Sequence, residues 1–335
     1  MKKLTAILLF ALLLVSVLTA CGQDAAPDSS IPDAPAVKTD VNVVGIAGPT
    51  GVGLVQLMEN NKNGAATNNY NFTIVSDPQQ AVAAVSNRSA DIAAVPTNLA
   101  STLYKRTSSN VQVLAVNTLG VLSILENGDS IKSVADLRGK TIYTSGQGAN
   151  PEYILRYALE KNGLDPDKDV KIEFVADNDT LGTLVINGTA KVAMVPEPKA
   201  TACLKNNTSV KSVLNMTEEW SKVSGDTSTL MMGCVIARKE FVQEHPDAVK
   251  KFLTEYEASI NAVKADVPAA AQLCVTHGII PQAPIAQAAI PNCNITYVDG
   301  AEMKTQLSGY LKVLFDYNPK AIGGSLPADD FYYEK

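Results

Sequence analysis

Histidine, tryptophan and cysteine are scarce in this sequence of 335 residues, which has 2, 1 and 5 of them. His245 and His277 stand far apart, and neither is near a glycine-rich or proline-rich loop, so a histidine-based acid/base pair has no partner to work with. The four cysteines after Cys21 are Cys203, Cys234, Cys274 and Cys293, and none forms a C-x-x-C pair. A Cys/His metal cluster is thereby excluded, and buried free thiols are the expectation, with disulfide pairing left open. The motif G-x-S-x-G of a hydrolase elbow is missing. The glycines at 48–53 are followed by Leu-Val-Gln rather than the Lys-Ser/Thr that a nucleotide phosphate loop needs. No cluster of basic residues breaks a formal net charge of −6, which argues against a nucleic-acid partner. Beyond residues 7–18, no apolar run approaches membrane-spanning length.

The N-terminus has what the body lacks. Lys2 and Lys3 precede the apolar stretch ILLFALLLVSVL (7–18), which reads as a secretory signal over residues 1–20. LTAC (18–21) matches the bacterial lipoprotein box, and that resemblance implies cleavage before Cys21 and lipid on this residue. Residues 21–40, rich in Ala, Asp, Pro and Ser, cannot bury enough apolar surface to order themselves and form the expected tether.

From about residue 41 the chain repeats its own pattern at an offset of one hundred. Val75/Val175, Asp77/Asp177, Val85/Val185, Asn87/Asn187, Val95/Val195 and Pro96/Pro196 are among the identities. Each half reads strand, glycine loop, helix, strand, helix, strand, Val-Pro, helix. Such alternation implies parallel sheets, and two copies imply two α/β lobes. Apolar segments at 120–131 and 228–238 are the expected crossings. The first lobe is then 41–126 with 236–335, and the second 127–235. The pattern at 239–263 predicts an amphipathic helix interrupted near Pro246, and SVADLRGK a short helix stopped by Gly139.

In open α/β sheets, ligands collect beyond the carboxyl ends of the strands. Those ends supply the candidate ligand-binding residues Gly48, Pro49, Thr50, Gly51, Val52, Thr97, Asn98, Asn117, Thr118, Gln147, Gly148, Ala149, Asn150 and Glu197. Asn150 before Pro151 reads as a helix cap, and Asp77 and Asp177 read as caps of the helices that follow them. Trp220 is a core residue or a stacking surface for ligand. None of the segments 48–53, 96–98, 117–119 and 146–150 contains Lys or Arg, so no guanidinium is on offer for an oxyanion. Backbone N–H groups, Thr and Asn side chains and Glu197 suit a small polar molecule with an amino or heterocyclic N–H group.

The lipobox, the strand–glycine-loop–helix opening, IKSVADLRGKTIYTSGQGANPEYILRYALEKNGLDPDKDVKIEFV and the helix RKEFVQEHPDAVKKF together resemble the substrate-binding lipoproteins of ABC importers. The nearest resemblance is to the nitrate, sulfonate, taurine and thiamine-precursor cluster with the type II periplasmic binding protein fold. It implies two Rossmann-like α/β lobes joined by two crossing strands, with a small polar solute captured between them. It further implies a monomer held outside the cytoplasm by its lipid, delivering solute to the transmembrane subunits of an ABC permease. No catalysis, cofactor or metal is required. A lipoprotein reporting ligand to a membrane sensor, or an enzyme on the same fold, are the alternatives.

Overall fold

The computed structural model describes residues 38–225 and 228–334. The expected signal, Cys21 and most of the expected tether lie outside the described residues; of the tether only residues 38–40 are described, and Asp40 already begins a strand. The chain runs β1 (Asp40–Ile46), α1 (Pro49–Val52), α2 (Val55–Lys62), β2 (Asn69–Val75), α3 (Pro78–Ser86), β3 (Ile92–Pro96), α4 (Thr97–Arg106) and β4 (Val111–Leu119). It continues as β5 (Leu122–Asn127), β6 (Thr141–Thr144), α5 (Asn150–Lys161), β7 (Lys171–Phe174), α6 (Asn178–Ile186), β8 (Val192–Pro196), α7 (Lys199–Asn206), β9 (Val210–Asn215) and α8 (Met216–Ser224). The remainder is β10 (Met231–Arg238), α9 (Lys239–Glu244), α10 (Pro246–Ala265), α11 (Val267–Thr276), α12 (Ala283–Ala289), β11 (Ile295–Val298) and α13 (Gly300–Tyr317).

The repeat in the sequence is a repeat in space. Helix α3 at 78–86 corresponds to α6 at 178–186, and β3 at 92–96 to β8 at 192–196. Both helices start from an aspartate: Asp77 accepts from the Gln79 N–H (2.9 Å) and Asp177 from the Thr180 N–H (2.7 Å). Strand order is β11-β4-β10-β3-β1-β2 in one sheet and β7-β6-β8-β5-β9 in the other. The β2-β1-β3 and β7-β6-β8 portions are parallel, as alternation with helices implies.

Neither sheet is wholly parallel, because each half of the chain lends a strand to the other. After β4 the chain crosses and inserts β5 antiparallel between β8 and β9; β10 returns and inserts antiparallel between β3 and β4. This corrects the expected lobe borders. Leu122–Glu126 lie in the second sheet and Met231–Val235 in the first, so the outward crossing is only Gly120-Val121. A Cβ on Gly120 would lie 2.0 Å from Thr217 Oγ1 and 2.8 Å from Leu230 Cδ2. Glycine is what lets the two crossings pass so closely. The segment SVADLRGK forms only a 3-10 turn over Val134–Leu137, and the helical pattern near Pro246 divides into α9 and α10 as expected.

Buried residues of both halves form a shared core beside the crossings. Trp220 on α8, 0 % exposed, packs on Tyr157 of α5 and on Tyr310 of α13, with ring centroids 4.8 and 5.5 Å away. Tyr317 of α13 meets Tyr157 edge-on. The single tryptophan is therefore a core residue at the joint of the lobes.

Candidate functional site

Strand β8 ends at Pro196, and the next residue, Glu197, stays attached to the crossing through a hydrogen bond from its N–H to Val121 O (2.9 Å). Helix α7 then leads away, and its Thr201 N–H donates to Glu197 Oε2 at 3.2 Å. Helix α12 packs against α7 and brings residues 291–294 of the first lobe over this carboxylate. The result is a cavity of about 310 Å³, walled by Gly120 and Val121 of the crossing, by Leu122, Ser123, Glu197, Ala200 and Asn215 from the second lobe, and by Pro291, Asn292 and Asn294 from the first. That volume lies at the lower end of the range for small-molecule sites, roughly 300–1,000 Å³. Asn294, at a positive φ of 44°, donates its side-chain N–H to Gly120 O and so ties the first-lobe wall to the crossing.

Glu197 is the unusual group. It is 7 % exposed and makes no ion pair among the described residues. Desolvation pushes its carboxyl above the ordinary value, while hydrogen bonds from Thr201 pull the other way. Cys293 lies close enough that the carboxylate adds to the effect of burial in pushing that thiol well up. All four described cysteines are free and buried, and no group of metal-ligating side chains occurs among the described residues.

The other expected site residues fall into three places. Thr50, Asn117 and Thr118 form one cluster: Asn117 Nδ2 donates to Thr50 O (3.3 Å) and to the Tyr256 hydroxyl (2.9 Å), and Thr118 Oγ1 donates to Asn117 Oδ1 (3.0 Å). Gly233 of β10 makes room for it, since a Cβ there would lie 2.4 Å from Thr50 Cγ2. The glycine loop itself packs on its own lobe. The Gly48 N–H donates to Ile279 O, and a Cβ on Gly51 would lie 2.3 Å from Ile46 O. Pro49 and Val52 bound the single turn of α1.

The second place is a contact between lobes. Thr97 Oγ1 donates to Met231 O (2.6 Å), and Asn150 Nδ2 reaches across to Thr97 Oγ1 and Met232 O, both at 3.3 Å. Asn150 is therefore not the cap of α5; Ala149 holds the cap position and Asn150 is the first helical residue, its amide nitrogen donating to the other lobe while its Oδ1 is buried without a partner among the described residues. Gln147 and Gly148 are exposed, and the Gly148 N–H is taken by Glu152 Oε2 (2.7 Å). Asn98 is the third case: its Nδ2 donates to Ala321 O, within the first lobe.

Of the strand-end residues expected to bind ligand, Glu197 alone is in the wall of the cavity. Asn215, the last residue of β9, also lines the cavity, but no motif in the sequence marks it. Residues 291–294 carry no local signal; only the docking of α12 places them there.

A family model described as "ABC transporter, phosphonate, periplasmic substrate-binding protein" matches residues 69–282. The solved structure of an ABC transporter from Parabacteroides distasonis aligns with a TM-score of 0.75 at 21% identity, covering 89% of this chain and 100% of that one. The periplasmic aliphatic sulphonate binding protein SsuA of Escherichia coli aligns with a TM-score of 0.71 at 13% identity, covering 89% and 93%. The alkanesulfonate-binding protein SsuA of Xanthomonas axonopodis pv. citri, bound to MOPS, gives 0.64 at 14% identity, covering 88% and 96%. At such identities the structures establish the two-lobed α/β fold and nothing finer. No curated protein matches the chain.

Proposed function

The chain belongs to the phosphonate-type family of periplasmic substrate-binding proteins of ABC transporters, and from that premise we propose a lipid-anchored receptor that closes its two lobes on a small polar organic solute. The family consists of extracytoplasmic solute-binding proteins rather than enzymes. The observation that carries the finer reading is the cavity at the crossing, walled by both lobes and containing the buried Glu197. A solute there touches both halves at once, so it favours the closed form by its differential affinity. The permease then receives solute from the closed form. The Asn150–Thr97 contact joins the lobes here, and opening is expected to break it. Deletion of the gene is expected to abolish uptake of one solute, which the purified protein binds without converting it. Unchanged uptake, or chemical turnover of the bound compound, contradicts the proposal.

Anchoring is tested separately. Cys21→Ser is expected to move the protein from the membrane fraction to the soluble fraction and to remove its acyl groups, as read by mass spectrometry of the mature N-terminus. A wild-type protein without acyl groups rules the anchor out and leaves the receptor reading in place.

A further inference from the structure

Among the walls of the Glu197 cavity there is no Lys, Arg or His. The polar groups it offers are the Glu197 carboxylate, the hydroxyls of Ser123 and Ser212, and the amides of Asn215, Asn292 and Asn294. Two of these amides are partly committed, because Asn294 Nδ2 donates to Gly120 O and Asn215 Oδ1 accepts from the Thr217 N–H. The only charged side chain in the wall is therefore an acid, and it has no cation beside it among the described residues. A buried carboxylate is rarely left without a partner, because taking its charge out of water is costly unless an opposite charge or strong donors meet it. Thr201 supplies neutral donors only.

We infer that the solute carries a cationic nitrogen, an ammonium or amidinium head, which enters this cavity and pairs with Glu197. The inference rests on the receptor reading above and names the chemistry of its solute. The rest of the wall fits a short stem behind such a head: Val121, Leu122, Ala200, Leu204 and Pro291 supply apolar surface. A phosphonate or sulfonate head in the same place would meet a like charge and no guanidinium or ammonium to offset it. Here the chain's own residues point away from a bare oxyanion, although the family description names one.

The test uses five compounds with one stem: propylamine, propylguanidine, N-propylacetamide, propylphosphonate and propanesulfonate, each titrated by calorimetry into the purified protein. The amine and the guanidine are expected to bind wild type, and the neutral amide and both anions to fail. Glu197→Gln keeps the shape and removes the charge, and is expected to weaken the amine on the order of a hundredfold or more. The wild-type comparison needs no variant, so it decides the head group even if Glu197→Gln folds poorly. Binding of propylphosphonate or propanesulfonate to wild type, failure of both cationic compounds to bind, or an amine affinity unaltered by Glu197→Gln overturns the inference. Its failure is separable from that of the receptor reading. An anion that binds leaves a solute receptor with a different solute, whereas unchanged uptake on deletion of the gene removes the receptor itself.

Discussion

Trp220→Ala is expected to lower the free energy of unfolding by about 3–5 kcal/mol, the range for deleting a large aromatic side chain from a packed core. The side chain is 0 % exposed, and its indole N–H donates to Ser228 Oγ at 3.3 Å, so truncation removes both packing and a buried hydrogen bond. The position matters as much as the size. Its ring neighbours come from α5 of the second lobe and from α13, which packs on β4 of the first sheet, and a cavity here has few ways to collapse without moving one lobe on the other. Urea unfolding followed by circular dichroism measures the loss, and Trp220→Phe is expected to recover part of it. A loss below about 1 kcal/mol would mean that the joint relaxes around the hole and that these ring contacts do not hold the lobes together. Being the only tryptophan, Trp220 also makes wild-type fluorescence a report on this joint.

The second large effect is the pH dependence of binding. Burial holds the Glu197 carboxyl above the ordinary glutamate value, with Thr201 opposing it. For an acid raised in the folded state, the folded protein holds more protons than the unfolded chain between the two values, so stability falls as pH rises through that window. The contribution is fully present below the unfolded value and is lost as pH rises through the raised, folded one. Without ligand, wild type is expected to gain stability relative to Glu197→Gln as the solution is acidified through this window. Binding of a cation runs the other way, since it needs the carboxylate. Propylamine affinity is expected to fall about tenfold per pH unit once pH is below the folded value, because the proton then competes directly for the same oxygen. Calorimetry across that range, on wild type and Glu197→Gln, checks both slopes. A pH-independent amine affinity, or the same slope in the variant, places the cation elsewhere.

Much of the fold was legible because its signals are local. Asp77 and Asp177 each stand before a nine-residue helix, and Val95-Pro96 and Val195-Pro196 each close a buried strand. The two-lobe reading needed only those repeated units. The exchange of strands was not legible. Residues 122–127 and 231–238 are apolar in either lobe, and their membership is set by pairing with strands far away in sequence. The expected borders therefore ran through strands. The candidate site divides in the same way. Glu197 stands out in the sequence by its place after a buried strand, and it lies in the cavity wall. Asn150 matched a cap signature, but its amide found partners on the other lobe, which no local pattern records. The glycine loop is expected among the ligand-binding segments from its place after β1, and the close approach of Gly51 to Ile46 O of its own lobe is a contact no local pattern records.

Hydrogen exchange with and without the compound of the five that binds tests the central claim most directly, namely that a solute is held between the lobes at the crossing. Slower exchange is predicted together in 119–123, in 197–204 and in 292–295, three segments that all contribute to the cavity wall. Protection confined to one of the three, or found instead along the groove formed by residues 304–312 and 326–332, would contradict it.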